Sequence, residues 1–144
     1  MIAQNFEYIA AASLGDAVNL LQKHAGHAKI LAGGHSLIPM MKLRLAAPAF
    51  LIDIGRIPEL SYVREDGGKV RIGALTTHYE IETSSAIVRS LRALADAAGS
   101  IGDVQVRNKG TVGGSIAHAD PAADYPAGIL ALDATIVTLG PKGE

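Results

Sequence analysis

Residues 29–54 read KILAGGHSLIPMMKLRLAAPAFLIDI and contain the pattern on which the fold assignment depends. Lys29–Ala32 is a short apolar stretch typical of a strand, and it leads directly into a glycine pair. Ser36–Leu45 is predicted to hold a short helix, with Pro39 in the first turn, where proline is tolerated. Ala49–Ile54 is a second apolar strand. Strand, helix and strand in this order indicate a small βαβ layer.

A further strand and helix precede this stretch. Phe6–Ala10 has the length and composition of a strand. Ser13 is a predicted helix N-cap, and Asp16 stands three residues later in a position like that of a capping box. Gly26 is a plausible end for this helix. These elements extend the βαβ pattern toward the N-terminus.

The pattern changes to an antiparallel hairpin in the middle of the chain. Ser61–Glu65 and Lys69–Ala74 are rich in residues that favour strands, and Asp66–Gly68 between them is a turn sequence. Thr77 and Glu80 have the spacing of a capping box, which predicts the beginning of another helix.

The following stretch is predicted to contain two helices and a strand. Ser90–Ala98 has helical spacing, and Gly99 is expected to end that helix. Arg107 lies in a polar loop and is expected to be solvated. Thr111–Ala117 is read as a strand of small residues that a glycine pair interrupts. Asp120, which precedes a proline, is the expected N-cap of the next helix.

The end of the chain is predicted to be half of a hairpin. Thr135–Leu139 has the composition of a strand, and Gly140–Gly143 is a turn sequence. An unpaired strand is an unprotected edge that recruits other chains. We therefore expect a longer protein or a partner chain that covers the edge, and self-association through this strand in the isolated chain.

The composition restricts the function further. The chain has 144 residues, of which 49% are hydrophobic and 19% charged, values typical of a globular protein. A formal charge of −1 argues against a nucleic-acid-binding surface, which needs a basic face. Without cysteine, the chain has no iron–sulfur ligand or thiolate nucleophile. No apolar run approaches the length of a transmembrane segment and no signal-peptide pattern is visible, so a cytoplasmic location is expected.

Two glycine pairs stand beside predicted strands, each followed by a serine, at Ala32–Ser36 and Val112–Ser115. Glycine permits positive φ and close approach of a ligand. Successive backbone N–H groups in such turns form concave nests that bind anions. Two nests suit a pyrophosphate, whereas the alternative interpretation is two ordinary tight turns. Neither loop has the P-loop pattern, and no GxGxxG follows the first strand.

Other candidate sites are weaker. Gly34–Ile38 departs from the nucleophile elbow because its last position is not glycine. His118 with Asp120, or His24 with His27 at helical spacing, lack a third ligand. No catalytic residue and no metal site is therefore predicted. The histidine pair is better explained as a favourable charge near a helix C-terminus.

Four stretches together resemble one family of flavoproteins. They are LAGGHSLIPMMKLRL at 31–45, LIDI at 51–54, RIGALT at 71–76 and IGDVQVRNKGTVGGSIAHADPAAD at 101–124. These stretches resemble the FAD-binding medium subunits of carbon monoxide dehydrogenase-type molybdenum hydroxylases, which are related to the flavin domain of xanthine dehydrogenase. The resemblance extends over essentially the whole chain and is most specific in residues 101–124.

The resemblance implies an α+β, two-layer fold with FAD as the cofactor. A small βαβ subdomain, the first FAD-binding subdomain, would cover residues 1–55. A larger mixed subdomain would cover residues 56–144 and continue beyond them, with FAD in the crevice between the two. The family's further C-terminal part helps to cover the isoalloxazine ring.

The resemblance also implies a set of cofactor-binding residues. The two glycine loops would hold the pyrophosphate, Asp124 would contact the cofactor, and Ile101 would lie beside it, at a position that is often aromatic. The complete set is Ala32, Gly33, Gly34, His35, Ser36, Leu37, Ile101, Thr111, Val112, Gly113, Gly114, Ser115 and Asp124.

The family further implies an electron-transfer role within a complex. Substrate is hydroxylated at a molybdenum cofactor on a large subunit, and electrons pass through iron–sulfur clusters on a small subunit to FAD and then to an external acceptor. The absence of cysteine agrees with clusters supplied by a partner. Two alternatives stay open: another FAD-dependent oxidoreductase on the same fold, and a non-catalytic half domain that completes a partner flavoprotein.

Overall fold

The computed structural model describes residues 2–144, and the chain divides into two compact units. One unit contains the residues up to Pro58 together with Thr135–Glu144, and the other contains Glu59–Ala134. Helices and strands both build the chain, and the predicted α+β class is confirmed. The predicted boundary after residue 55, and the assignment of both parts as FAD-binding subdomains, stay predictions.

The first unit is built on a parallel sheet. Its strands are β1 (Glu7–Ala10), β2 (Ala28–Leu31) and β3 (Phe50–Asp53), in the order β1-β3-β2. Helix α1 (Leu14–Lys23) connects β1 to β2, and α2 (Leu37–Lys42) lies between β2 and β3. The βαβ layer predicted from the sequence is confirmed.

The central strand β3 provides much of the core of this unit. Ile52 is completely buried and pairs in register with Ile9 on one side and Ile30 on the other. Its neighbour Leu51 is also buried, as is Ala17 on α1, the helix that packs against β3. The apolar run FLID therefore suits a central parallel strand, whose side chains are covered by its neighbours.

Helix α1 begins at the N-cap that the sequence predicts. Ser13 Oγ accepts a hydrogen bond from Asp16 N at 3.1 Å, and Asp16 Oδ2 accepts one from Ala12 N at 2.9 Å. The C-cap residue His24 stacks its ring on Phe50 with the ring centroids 3.8 Å apart. The helix is thus fixed at one end by its cap and at the other by a contact with β3.

The second unit follows a 3₁₀ turn at Pro58–Leu60. Its elements are β4 (Val63–Asp66), β5 (Lys69–Ile72), α3 (His78–Thr83), α4 (Ser85–Ser90), α5 (Arg92–Ser100), α6 (Val104–Arg107), α7 (Val112–His118) and α8 (Tyr125–Ala131). Strands β4 and β5 form the predicted antiparallel hairpin. Helix α3 begins at the predicted capping box, in which Thr77 and Glu80 exchange both hydrogen bonds. Helices α3, α4 and α8 all pack against α5.

The core of this unit is one apolar cluster that contains a polar pair. Its buried members are Ile81, Ile87, Leu94, Ala95, Ala98, Val112 and Tyr125. The Tyr125 hydroxyl lies 2.8 Å from Nδ1 of His78, which is also buried. Burial raises the pKa of Tyr125, so its hydroxyl keeps its proton throughout the neutral range. A buried polar group that finds a partner stabilises the core, and this pair connects the beginnings of α3 and α8.

The segment before α7 pairs with the segment before α3 through backbone hydrogen bonds. These run from Val112 N to Thr76 O (3.0 Å), from His78 N to Gly110 O (3.0 Å) and from Gly113 N to Ala74 O (2.9 Å). We call this contact the 74–78/110–113 pairing. It requires glycine, because a Cβ on Gly113 would lie 2.6 Å from the Cβ of Ala74.

The strand predicted for Thr111–Ala117 is wrong, because these residues form the beginning and body of α7. Thr111 is the N-cap, and its Oγ1 accepts a hydrogen bond from Gly114 N at 3.2 Å. The small residues that suggested an interrupted strand instead let the first turn of a helix approach another segment closely.

Two helix boundaries also differ from the prediction. Asp120 does not cap a helix: its Oδ1 accepts a hydrogen bond from Ala122 N at 2.9 Å within a turn, and α8 begins only at Tyr125. Gly99 does not end α5 but lies inside it, where a Cβ would be 3.3 Å from Oε1 of Glu82. A local side-chain bond and a close interhelical contact, respectively, account for these residue choices.

The strand predicted for Thr135–Leu139 is absent from the described part of the chain. Gly140 and Gly143 do form a turn, closed by mutual backbone hydrogen bonds of 3.0 Å. A strand needs a partner, and residues 2–144 offer none to this segment. The edge strand through which self-association was expected is therefore not formed.

We predict that Gly113→Ala lowers the free energy of unfolding by about 1–3 kcal/mol, because the added methyl group overlaps Ala74 at the 74–78/110–113 pairing. The control is Gly128→Ala, an α8 position where a Cβ meets nothing within 4 Å. There the better helix propensity of alanine raises stability by about 0.5–1 kcal/mol. Urea denaturation of both variants measures the difference, and equal midpoints would contradict the overlap.

Candidate functional site

The loop between β2 and α2 presents backbone donors that the protein does not use. Within residues 2–144, none of the backbone N–H groups of Gly33–Leu37 donates to a protein acceptor. Gly34 has a φ of +78°, a conformation that favours glycine, and the Ser36 hydroxyl makes no capping bond. Most of this loop is half-buried rather than buried, and its donors are available to an acceptor from outside the chain. The loop has the properties of an anion-binding nest.

His35 closes this loop rather than extending from it. Its Nδ1 lies 3.0 Å from the carbonyl oxygen of Gly33. Since a carbonyl only accepts hydrogen bonds, Nδ1 carries the proton in this arrangement. The ring therefore fixes the local path of the backbone.

The second glycine loop has a different chemistry from the first. The N–H groups of Val112 and Gly113 are used in the 74–78/110–113 pairing, and that of Gly114 is bonded to Thr111 Oγ1. The expectation that this loop is a nest of free backbone donors is therefore corrected. What it offers a ligand is hydroxyl groups: the Thr111 proton, and Ser115 Oγ, for which residues 2–144 provide no hydrogen-bond partner.

A turn at the end of α5 brings the two remaining predicted site residues together. Ile101 is the C-cap of α5 and is half-buried. Ser100 Oγ lies 2.7 Å from Ala97 O and 3.3 Å from Asp124 Oδ1. Asp124 itself makes no capping bond at the beginning of α8 and is exposed. Its carboxylate is thus placed next to the Ile101 turn with lone pairs available to a ligand.

Arg107 lies in an environment that its sequence neighbours do not predict. It is not solvated as expected: its side chain is 16% exposed, and Nε lies 3.0 Å from Oε2 of Glu82. Its Nη1 lies 3.2 Å from the carbonyl oxygen of Ile101 and 3.3 Å from that of Gly102. Arg107 has polar neighbours in the sequence, which suggest exposure. Its partner Glu82 is distant along the chain, and no local sequence signal indicates that the two residues pair.

The predicted site residues are distributed over both units. Ala32–Leu37 lies in the first unit, whereas Ile101, Thr111–Ser115 and Asp124 lie in the second. Residues 2–144 contain no group of three or more metal-ligating side chains suited to hold a metal ion. None of their helices is long and apolar enough to cross a membrane.

Comparison with known proteins identifies the family. Residues 4–144 match the family of FAD binding domains in molybdopterin dehydrogenase. The chain belongs to this family. Its cofactor is FAD, and the resemblance seen in the sequence is confirmed.

Individual relatives agree with this assignment. The chain is 52% identical to the carbon monoxide dehydrogenase medium chain of Hydrogenophaga pseudoflava, over 100% of this chain and 50% of that one. It is 44% identical to subunit alpha of the 6-hydroxypseudooxynicotine dehydrogenase complex of Paenarthrobacter nicotinovorans, over 97% of this chain and 47% of that one. The chain thus spans about half the length of the curated relatives it matches.

A solved structure matches the whole fold. The structure of carbon monoxide dehydrogenase from Hydrogenophaga pseudoflava that lacks the Mo-pyranopterin moiety of the molybdenum cofactor superimposes with a TM-score of 0.97 and 53% identity. The match covers 99% of this chain and 50% of that chain. The helices and strands of this chain therefore follow those of this solved relative.

We predict that Gly34→Ala weakens FAD binding, because alanine is strained at a φ of +78° and its Cβ would lie 2.7 Å from Cδ1 of Ile38. The matched control is Gly68→Ala in the hairpin turn, with a φ of +80° and no atom within 4 Å of the added Cβ. Both variants lose about 1–2 kcal/mol of stability from backbone strain. Only Gly34→Ala is expected to lower FAD affinity, measured by fluorescence titration of the full-length protein, and equal affinities would exclude a role for this loop.

Proposed function

We propose that this protein is the FAD-binding electron-transfer component of a molybdenum hydroxylase complex. The observation that carries the proposal is the row of unused backbone donors at Gly33–Leu37, in a chain that belongs to a family of FAD-binding domains. FAD, when bound, accepts electrons from one redox partner and passes them to another. The protein's own task is to bind, orient and electrostatically tune the cofactor.

The residues of the first loop fit the pyrophosphate of FAD. Phosphate oxygens only accept hydrogen bonds, and the backbone N–H groups of Gly33–Leu37 only donate them. Charge-assisted bonds of this kind are short and roughly twice as strong as neutral ones. No lysine or arginine lies between Ala32 and Leu37, so backbone dipoles and the Ser36 hydroxyl would stabilise the anion there.

The residues of the second unit are assigned complementary roles. We assign the hydroxyls of Thr111 and Ser115 as donors to the cofactor, and the carboxylate of Asp124 as an acceptor for one of its hydroxyl or N–H groups. Ile101 would supply apolar contact without aromatic stacking. Val112, Gly113 and Gly114 would act through the backbone path that places these hydroxyls, since their N–H groups bond within the protein.

The redox partners are proposed from the family to which the chain belongs. On that basis we assign the iron–sulfur clusters to a small subunit and the hydroxylation chemistry to a large subunit with the molybdenum cofactor. The absence of cysteine from residues 1–144 agrees with this assignment, because these residues provide no thiolate ligand for a cluster. The relatives named as medium chain and as a subunit of a dehydrogenase complex support a multi-subunit assembly. The cytoplasmic location stays a prediction.

The first test asks whether FAD is present and how it is attached. We expect heat or acid denaturation of the full-length protein to release FAD into the supernatant in a stoichiometric amount, because none of the residues assigned to the cofactor is a cysteine that could form a thioether link to the flavin. Chromatography and mass spectrometry identify the released flavin. Flavin retained in the precipitate would contradict non-covalent binding, and full-length protein without flavin would overturn the proposed function.

A second test addresses the hydroxyl donors. Ser36→Ala and Ser115→Ala each remove one hydrogen bond to the cofactor, and we expect about threefold to tenfold weaker FAD binding from each, equivalent to about 0.5–1.5 kcal/mol. Ser90→Ala, at an exposed position at the end of α4, is the control. Isothermal titration with FAD measures all three. Affinities that match the control would remove both hydroxyls from the site.

A further inference from the structure

We propose that Arg107 is a positioning residue that holds the Ile101–Gly102 turn in the conformation needed for FAD, an inference that rests on the proposed function. The guanidinium bonds to Glu82 through Nε and to both carbonyl oxygens of the turn through Nη1. A single planar group with several fixed donors suits this task, because it joins a carboxylate and two carbonyl oxygens in one geometry.

The turn follows the end of α5 and has no helical partner for its carbonyl groups. Ile101 is the C-cap of α5, and the backbone at the next residue, Gly102, reverses with a φ of +50°. A Cβ at Gly102 would approach Val106 to 3.1 Å, so the turn is packed closely against α6. Arg107, the last residue of that helix, returns its side chain to the carbonyl groups of the turn.

Glu82 fixes the orientation of the Arg107 guanidinium. Its carboxylate, with the side chain 33% exposed, accepts from Nε of Arg107 and lies beside Gly99, where a Cβ would be only 3.3 Å away. The acid therefore fixes the guanidinium from one side while packing against α5 on the other. Removing either partner frees the turn.

The same turn supports a second predicted cofactor contact. Ser100, immediately before Ile101, reaches Asp124 Oδ1. Displacing the turn would move the apolar contact of Ile101 and the carboxylate of Asp124 together. The Gly33–Leu37 loop belongs to the other unit, and its amides do not depend on this turn.

The other ion pairs of the described chain differ from this one in exposure. Arg92 with Asp96 is such a pair, at 2.8 Å, with side chains 70% and 62% exposed. Exposed pairs contribute little to stability. Arg92 lies on α5, the helix that ends at the turn, and therefore provides a matched control.

The test compares Arg107→Gln with Arg92→Gln in the full-length protein. We expect Arg107→Gln to weaken FAD binding about tenfold, the lower end of the effect seen when a residue that orients a metal ligand is lost, and to shift the visible absorption band of bound flavin. Arg92→Gln should change neither. Arg107→Lys should recover only part of the affinity, because one ammonium group replaces the fork of donors.

A double-mutant cycle identifies the route of the effect. If Arg107 acts through the turn, Arg107→Gln combined with Ile101→Ala weakens FAD binding by less than the product of the single effects. If Arg107→Gln does not fold, Glu82→Gln keeps the arginine, loosens its orientation and is expected to give the same spectral shift in a smaller amount.

Two results would overturn the proposal. The first is an Arg107→Gln or Glu82→Gln protein that melts at a lower temperature but, when saturated with FAD, has the wild-type spectrum and affinity. The second is a double mutant in which the losses of FAD affinity from Arg107→Gln and Ile101→Ala multiply fully. In either case the wild-type protein still binds FAD and the proposed function stands. Wild-type protein that binds no FAD would overturn the proposed function itself.

Discussion

The 74–78/110–113 pairing is the contact on which the second unit depends. It places the first turn of α7 beside the entry to α3, and it does so with backbone atoms, so side-chain substitutions elsewhere change it little. The close approach requires missing side chains on one partner: a Cβ at Gly110 would lie 2.6 Å from Nε2 of His78. His78 and Tyr125 then join this region to α8, which begins next to Asp124. One backbone contact thus organises Thr111, Ser115 and the beginning of α8.

This contact also explains why the two glycine loops, so similar in sequence, differ in chemistry. After β2, the chain leaves the sheet with its amides unpaired, and Gly33–Leu37 keeps them for an anion. The backbone N–H groups of Val112 and Gly113, in contrast, donate hydrogen bonds to carbonyl oxygens of the protein itself. The first loop therefore offers backbone donors, and the second offers hydroxyl groups. In both loops the glycine pair lets another group come close to the backbone. In the first loop we propose that this group is a ligand, and in the second it is another segment of the protein.

The sequence predicted well what local rules determine. The βαβ layer, the hairpin at Asp66–Gly68 and the capping box at Thr77 follow from periodicity, turn chemistry and capping, and all are present. It failed at Thr111–Ala117 because two glycines and β-branched neighbours disfavour a helix locally, and only the long-range pairing decides otherwise. The sequence also failed to predict that Arg107 is largely buried, because its partners come from distant segments, α3 and the end of α5. The family resemblance supplied the cofactor, which local rules could not name.

Because α7 is so short, it forms only together with the contacts that it makes. A helix of seven residues that includes two glycines lies far below the length at which helices persist alone in water. Its formation is therefore coupled to docking: the peptide around Thr111–His118 is a fluctuating coil until the segment at Ala74–His78 is in place to receive it. The hydroxyls of Thr111 and Ser115 therefore acquire their arrangement only when the two segments dock.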